Sequence, residues 1–236
     1  MDGQFWDKRL VMPRDGMVCQ RPMNVEQCKV FLFQGDSITD CGRDRGAEAN
    51  PNHNTALGPG YAGKIGGALL AEYPSRNLQI LNRGISGHRV VDLYARWKCD
   101  AVNLQPDIIS ILIGVNDTWH EFGGQNGVEL DRFEQVYRMM LQYTLKRLPN
   151  VKLVLCEPFV LPIGVVTPDW QVDICARREI VARLAEEFGA VLVPFQIMFD
   201  EALKEAGPEY WTGDGVHPTP AGHERMAKFW RKCVGV

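Results

Sequence analysis

Five short apolar runs, separated by longer stretches with helical periodicity, restrict the fold of this chain more than any other feature. The predicted strands are residues 29–34, 78–81, 107–113, 151–156 and 190–193, and the main predicted helices are 61–72, 90–103, 130–148, 170–188, 196–206 and 219–232. Strands that alternate with helices form βαβ units, which build a parallel sheet with helices on both faces. The nearly unbroken apolar run at 107–113 is typical of a central strand in such a sheet.

The length and composition predict one large α/β domain with an irregular N-terminal arm. The chain has 236 residues, and no shift in composition marks a linker between domains. Residues 1–27 contain Pro13 and Pro22 and read as an arm with one short strand near residues 9–12. Residues 28–236 form the predicted single domain. The first residues lack the basic segment and apolar run of a secretory signal.

Charge and cysteine usage exclude several classes of partner. A net charge of -3 does not favour binding to nucleic acid or to an anionic membrane. The longest apolar runs are too short to span a bilayer. The seven cysteines are scattered, and no two have the Cys-x-x-Cys spacing. This pattern predicts reduced thiols in the cytoplasm and argues against a disulfide framework or a zinc site.

Polar residues follow four of the predicted elements, and the topology brings them together. The carboxyl ends of parallel strands lie along one edge of a sheet, where such folds bind their ligands. The loops at this edge carry Gly-Asp-Ser at 35–37, Asn-Arg-Gly-Ile-Ser-Gly at 82–87, Gly-Val-Asn-Asp at 114–117 and Asp-Gly-Val-His at 214–217. The sequence therefore predicts a catalytic site assembled from four separate loops.

Three of these side chains have the chemistry of nucleophilic catalysis. Ser37 offers a hydroxyl nucleophile, and a hydroxyl needs an adjacent base. His217 is the candidate base because its imidazole titrates near neutral pH. Asp214, three residues earlier, can reach Nδ1 of His217 through a tight turn. Taken singly, each is common in turns and at helix starts, so the prediction depends on their convergence.

The same loops offer donors for a developing oxyanion. The backbone N–H of Gly84 can approach a ligand closely because glycine has no side chain. Asn116 offers a carboxamide donor just after a buried strand. A plain turn glycine and an Asx turn or helix cap are the structural alternatives for these two residues. The other serine of this rim, Ser86, is a rival nucleophile, but no motif pairs it with a base.

The four segments resemble the sequence blocks of the GDSL esterase/lipase family, in its SGNH hydrolase branch. Ile38 stands where leucine is usual, and the match extends in the right order over residues 29–220. The resemblance implies a flavodoxin-like three-layer α/β/α sandwich with a five-stranded parallel sheet. It also implies that no metal or cofactor is needed. The site residues that it implies are Ser37 as nucleophile, His217 as base, Asp214 as its partner, and Ser37 N–H, Gly84 N–H and Asn116 as the oxyanion hole.

The residues around these blocks point to one type of esterase within the family. Residues 33–40, 82–87 and 114–119 are similar to those of bacterial carbohydrate acetylesterases of the acetylxylan esterase type. This similarity implies removal of acetyl groups from xylan-derived sugars, and some such enzymes act inside the cell or form large homo-oligomers. The expectation is therefore a cytoplasmic homo-oligomer whose substrate is an esterified xylo-oligosaccharide.

Several further residues are candidates for contact with substrate. Aromatic rings near the loops can stack on a sugar, although each can equally be core or rim packing. These are Tyr61, Trp119, Tyr210 and Trp211. Asp36 is expected to order the nucleophile turn. Arg83 and Arg89 can form an anionic site, but solvated or salt-bridged roles are expected for them. The Gly-, Asn- and Pro-rich loop at 41–60 is long enough to be functional.

Three other functions compete with the acetylesterase. A short-chain lipase, lysophospholipase or thioesterase can use the same triad on another acyl substrate. A metal-dependent hydrolase would draw ligands from Asp214, His217, His223 and Asp36, since Asp-x-x-His can ligate a metal. A non-catalytic carbohydrate-binding protein is the third alternative, but a binding protein does not need a complete set of catalytic groups.

Overall fold

The computed structural model describes residues 23–236. The strands are β1 (Val30–Gly35), β2 (Gln79–Asn82), β3 (Ile108–Leu112), β4 (Lys152–Cys156) and β5 (Val191–Val193). The α-helices are α1 (Ser37–Asp40), α2 (Asn54–Leu57), α3 (Tyr61–Glu72), α4 (Val90–Asp100), α5 (Val115–Gly124), α6 (Leu130–Arg147), α7 (Pro168–Glu187), α8 (Phe195–Ala202), α9 (Pro208–Trp211) and α10 (Pro220–Val234). Short 3₁₀ turns occupy Arg45–Ala47, Pro74–Arg76 and Val102–Leu104. The predicted strand at 9–12 and most of the predicted arm lie outside the described residues.

The five strands form one parallel sheet in the order β2-β1-β3-β4-β5, which confirms the predicted sheet. This is the strand order of flavodoxin-like folds. The chain moves outward from β1 to β2 and then crosses to β3 on the other side of β1. The order reverses between β1 and β3, and ligands bind at the carboxyl ends of the strands beside such a reversal.

Alternation along the strands places apolar side chains in two layers, one on each face of the sheet. On β1, Phe31 and Phe33 pack in one layer while Leu32 packs in the other. Successive side chains of a strand point to opposite faces, so a strand covered on both sides must be apolar throughout. The largest rings at the two centres are those of Trp230 and Trp97, both almost fully buried.

The long loop at 41–60 is tied to the edge of the sheet at β2. Asn52 Nδ2 donates to the Leu78 carbonyl at 2.8 Å, and the Ile80 N–H donates to Asn52 Oδ1 at 2.7 Å. The backbone N–H of Asn52 also donates to the Ile80 carbonyl at 3.2 Å. Asn52 therefore pairs with β2 almost as another strand would.

The Gly, Asn and Asp residues of the stretch 114–127 predict turns, and this prediction was wrong in a way that bears on the site. The stretch 114–127 reads as turn-rich, but Val115–Gly124 is the helix α5. Its turn-forming residues lie at its ends, where Gly114 has a φ of 130° and Gln125 closes the helix with a φ of 51°. As a result the side chains of Trp119 and Phe122, three residues apart, lie on the same face of a helix.

Between residues 23 and 236, no helix combines the length and the apolar composition needed to cross a bilayer.

Candidate active site

The nucleophile turn is built by close packing at the end of β1. A Cβ atom on Gly35 would lie 2.3 Å from the Leu112 carbonyl oxygen of the neighbouring strand, so only glycine fits there. Asp36 follows as the N-cap of α1, and its Oδ1 accepts the Ile38 N–H at 3.0 Å. Ser37 is then the first residue of α1, at the predicted edge of the sheet.

A continuous hydrogen-bond chain links the three predicted triad residues. Ser37 Oγ lies 2.9 Å from His217 Nε2, although the two residues are 180 positions apart in sequence. His217 Nδ1 lies 2.7 Å from Asp214 Oδ2. The carboxylate can only accept from Nδ1–H, so the neutral imidazole presents its Nε2 lone pair to the serine hydroxyl. Such an arrangement can activate a serine hydroxyl as a nucleophile, with the histidine as general base.

Asp214 is held so that one oxygen serves the imidazole and the other serves the turn. Its Oδ1 accepts the backbone N–H groups of Val216 at 2.9 Å and His217 at 2.8 Å. Partial burial raises the pKa of the Asp214 carboxyl, but the hydrogen bonds from His217 and Val216 outweigh burial, and the net pKa lies below its usual value. The carboxylate is therefore ionised at neutral pH, as a partner of an imidazolium must be.

Asp36 lies beneath the nucleophile, closed off from solvent. Its side chain is 1% exposed, and its Oδ2 has no hydrogen-bond partner in the described part of the chain. Burial raises the pKa of Asp36 to about 7, against the effect of the Ile38 N–H and of His217. A side chain in this position orders the turn and has no surface to offer a substrate.

Two donors that follow the carboxyl ends of β1 and β3 can serve an oxyanion. The Ser37 N–H has no acceptor among residues 23–236. Asn116 lies in the first turn of α5 and is almost buried. Its Nδ2 donates to the His88 carbonyl at 3.2 Å, which aligns the carboxamide and leaves a second N–H for a ligand.

The Gly84 N–H, expected to be a third donor, is already engaged. It donates to Asn82 Oδ1 at 2.9 Å, and the Cα of Gly84 packs so closely on α1 that a Cβ would lie 2.4 Å from the Asp40 nitrogen. Gly87, further along the same loop, is half-exposed with a φ of 81°, and its N–H has no partner between residues 23 and 236. Gly87 also precedes His88, the residue that holds Asn116. The sequence does not show which of Gly84 and Gly87 has the free N–H, because both lie in the same turn-rich loop.

The loop at 82–90 is fixed to its neighbours by two buried carboxylates. Asp40 Oδ2, from α1, accepts the Ser86 N–H at 2.9 Å and the Ser86 hydroxyl at 2.8 Å. Asp117, from α5, accepts the Val90 N–H at 3.1 Å. The hydroxyl of Ser86 is therefore bound to a carboxylate, and within residues 23–236 no imidazole hydrogen-bonds to it, which argues against Ser86 as the nucleophile.

Only one of the four predicted aromatic candidates lies against the triad. Tyr61 is fully buried and bonds Thr39 through its hydroxyl, and Trp211 is buried with its indole N–H on the Ala202 carbonyl. Tyr210 is 57% exposed on α9, where it packs on Trp211. The ring of Trp119 lies 5.7 Å from that of His217. The position of Trp119 on the helix α5 explains this contact, which a turn at 114–127 would not predict.

The four residues weighed as metal ligands have other partners or are buried apart. Asp214 and His217 bond each other. His223 is buried, accepts the Tyr61 N–H on Nδ1 at 3.1 Å, and directs Nε2 to Cys41 Sγ at 3.3 Å. Within residues 23–236 no group of three or more His, Cys, Asp or Glu side chains is arranged to hold a metal ion.

His223 makes the stability of the fold depend on pH. Burial lowers the pKa of its imidazole to about 4, whereas the unfolded chain takes up a proton near the ordinary value. Because only the unfolded chain takes up this proton, the free energy of unfolding should fall by about 2 kcal/mol when the pH is lowered from about 7 to about 5. Urea unfolding of wild type and of His223→Gln at both pH values measures this cost. We expect wild type to lose about 2 kcal/mol more than the variant, and equal losses would contradict the assignment.

Comparison with known proteins places the chain in a family. The model of the GDSL-like lipase/acylhydrolase family matches residues 33–225. An acetylxylan esterase of Geobacillus stearothermophilus is 37% identical over 218 residues, which are 90% of this chain and 97% of that protein. A multidomain esterase of Ruminococcus flavefaciens is 28% identical over 132 residues, 55% of this chain but only 16% of that protein.

Solved structures show the same relationship. A GDSL-like lipase from Parabacteroides merdae has a TM-score of 0.86 and 43% identity, with 91% of this chain and 99% of that chain covered. The Geobacillus acetylxylan esterase has a TM-score of 0.79 and 36% identity, with 88% and 94% covered. Two other structures of that enzyme are catalytic mutants, in which a serine and a histidine are replaced by alanine. The predicted fold is therefore confirmed, and this chain is a carboxylic ester hydrolase that belongs to the GDSL-like lipase/acylhydrolase family.

Proposed function

We propose that this enzyme removes acetyl groups from esterified carbohydrate such as xylo-oligosaccharides, through an acyl-enzyme on Ser37. The observation that carries the proposal is the hydrogen-bond chain from Ser37 Oγ through His217 to Asp214, with distances of 2.9 and 2.7 Å. The similarity to an acetylxylan esterase over nearly its whole length supports the choice of substrate. A protein that only bound carbohydrate would have no use for this chain of groups.

In the first half of the reaction, His217 Nε2 takes the proton of Ser37 Oγ as the oxygen attacks the ester carbonyl. The imidazolium that forms is stabilised by the Asp214 carboxylate, which stays ionised throughout. His217 then gives the proton to the departing sugar oxygen, and the acyl group remains on Ser37. In the second half, water attacks the acyl-enzyme with His217 again as the base, and acetate leaves.

The tetrahedral oxyanion is proposed to bind the N–H of Ser37, the Asn116 Nδ2 and the N–H of Gly87. Gly87 replaces Gly84 in this role because the Gly84 N–H already donates to Asn82 Oδ1 at 2.9 Å. Such donors are worth more in the transition state than in the ground state because negative charge on the oxygen develops there. Loss of one typically lowers the rate by about 10²- to 10³-fold.

The substrate class is tested with a series of 4-nitrophenyl esters from acetate to octanoate and with acetylated xylo-oligosaccharides, all in the presence of a chelator. We expect acetate to be hydrolysed fastest, a steep fall in kcat/KM with acyl length, and release of acetate from the oligosaccharides. A maximum at long chains would move the substrate to lipids or thioesters on the same triad. Loss of activity with the chelator would contradict a reaction carried by Ser37 alone.

Location and assembly belong to the same proposal. The odd number of scattered cysteines supports a reducing compartment, namely the cytoplasm. A homo-oligomer is supported by an apolar groove of about 570 Å³ between α8 and α10, whose floor includes Met198, Trp211 and Phe229. Its rim carries acidic and basic side chains that mostly pair within the chain, so the apolar floor is the part that a second copy would cover. Light scattering at several protein concentrations measures the assembly.

A further inference from the structure

A row of three aromatic rings leads away from the catalytic histidine. Trp119 of α5 packs on His217 with ring centroids 5.7 Å apart. Trp170, in the first turn of α7, contacts Trp119 edge-on at 5.2 Å. Phe122, one turn after Trp119 on α5, stacks on Trp170 at 6.0 Å with an interplanar angle of 21°. We call Trp119, Trp170 and Phe122 the aromatic row.

The aromatic row begins on the leaving-group side of the reaction centre. His217 must reach both Ser37 Oγ and the oxygen that departs, so the departing sugar lies beside the imidazole. A ring packed on that imidazole borders the space which the sugar occupies. The acyl carbonyl, by contrast, is directed at Asn116 and the loop that carries Gly87.

The rings of the row differ in exposure. Trp170 is only 5% exposed, whereas Phe122 is 48% exposed even though its neighbour offers an apolar contact. The helices that carry the rings are locked together through Thr118 of α5. Its Oγ1 accepts from Arg177 Nε of α7 at 3.0 Å and donates to Asp173 Oδ2 of α7. The exposed ring of Phe122 is thus backed by a buried indole on a rigid pair of helices.

We propose that Phe122, supported by Trp170 and continued by Trp119, is a stacking subsite for pyranose rings of the leaving oligosaccharide. This inference rests on the proposed function and adds the residues that recognise its substrate. The C–H face of a pyranose packs on an aromatic face, and a preformed row presents such faces without loss of side-chain freedom. The polar neighbours of Phe122, including the exposed carboxylate of Glu121, can bond the sugar hydroxyls.

The subsite is tested by the ratio of two kcat/KM values, one for an acetylated xylotetraose and one for 4-nitrophenyl acetate. The ratio is measured for wild type, for Phe122→Ala and for Val172→Ala. Val172 is a matched control because it is apolar, 65% exposed and only two residues from Trp170 on α7. We expect Phe122→Ala to lower the ratio by roughly 3- to 10-fold, the size of one aromatic contact. Val172→Ala should leave it unchanged, and an unchanged ratio in Phe122→Ala would overturn the proposal.

A binding measurement separates failure of the subsite from failure of the proposed function. Acetylated xylotetraose is titrated into Ser37→Ala and into the Ser37→Ala, Phe122→Ala double variant, and tryptophan fluorescence reports on Trp119 and Trp170. Weaker binding by the double variant supports the subsite, whether or not wild type hydrolyses the sugar. No binding by Ser37→Ala, or equal binding by both proteins, overturns the subsite. Absence of acetate release by wild type contradicts the proposed function alone.

Discussion

Ser37→Ala lowers kcat/KM for an acetyl ester by about 10⁵-fold or more. The reason is that Ser37 Oγ is the atom proposed to bond the acyl carbon. Its hydrogen bond to His217 Nε2 lets the imidazole take the hydroxyl proton and so activates the oxygen. Without Oγ the remaining donors can only assist water, a far weaker route. Initial rates with 4-nitrophenyl acetate measure the loss, and circular dichroism shows that the variant is folded.

Ser86→Ala is the matched control for this experiment. Ser86 is a serine at the same edge of the sheet, but its hydroxyl donates to Asp40 Oδ2 at 2.8 Å. When the hydroxyl is removed, the backbone N–H of residue 86 can still donate to Asp40 Oδ2, so the loop keeps one of its two hydrogen bonds to this carboxylate. We expect kcat/KM within about tenfold of wild type. Activity that survives in Ser37→Ala and disappears in Ser86→Ala would reverse the assignment of the nucleophile.

Asp214→Asn has the second largest expected effect, a fall in kcat of about 10⁴-fold. Asparagine Oδ1 can still accept the backbone N–H groups of Val216 and His217, so the turn keeps its shape. The amide group then faces His217 Nδ1 and donates to it. The imidazole must place its proton on Nε2, where it can no longer accept from the serine hydroxyl.

The measurement for Asp214→Asn is kcat with 4-nitrophenyl acetate, with Asp169→Asn as the control. Asp169 is an exposed aspartate in the first turn of α7, so its variant makes the same change of charge away from the triad. We expect the control to match wild type. A loss below about tenfold in Asp214→Asn would mean that another group orients His217.

The sequence predicts the sheet and the triad because both depend on few and strong signals. Apolar runs define the five strands, and parallel topology brings the Ser37 loop to one edge of the sheet. The Asp-Gly-Val-His segment at 214–217 resembles a family block, and this resemblance pairs His217 with that serine. The sequence does not predict the helix α5 because its Gly, Asn and Asp residues favour turns locally. Contacts such as Trp119 on Trp170 stabilise the helix only in the folded chain. The stretch 170–188, with its regular periodicity, was predicted to within two residues of α7.

Details that depend on packing direction are not readable from the sequence. Tyr61 and Trp211 are as aromatic as Trp119, but the fold buries both of them. The Asn82 carboxamide oxygen accepts a hydrogen bond from the Gly84 N–H of its own loop, and composition does not predict this bond. Such short-range hydrogen bonds decide which of two similar residues is left for a ligand.

The pairing of Asn52 with β2 has a consequence for how copies of this enzyme can associate. Edge strands are the usual route by which sheets of separate molecules join, because they present backbone groups in a row. Here the Leu78 carbonyl and both backbone groups of Ile80 are already satisfied from within the chain. A neighbouring strand that approached β2 would have to break these bonds first. Association through helical surfaces meets no such barrier, so the loop at 41–60 acts as a guard against fibre-like growth of the sheet.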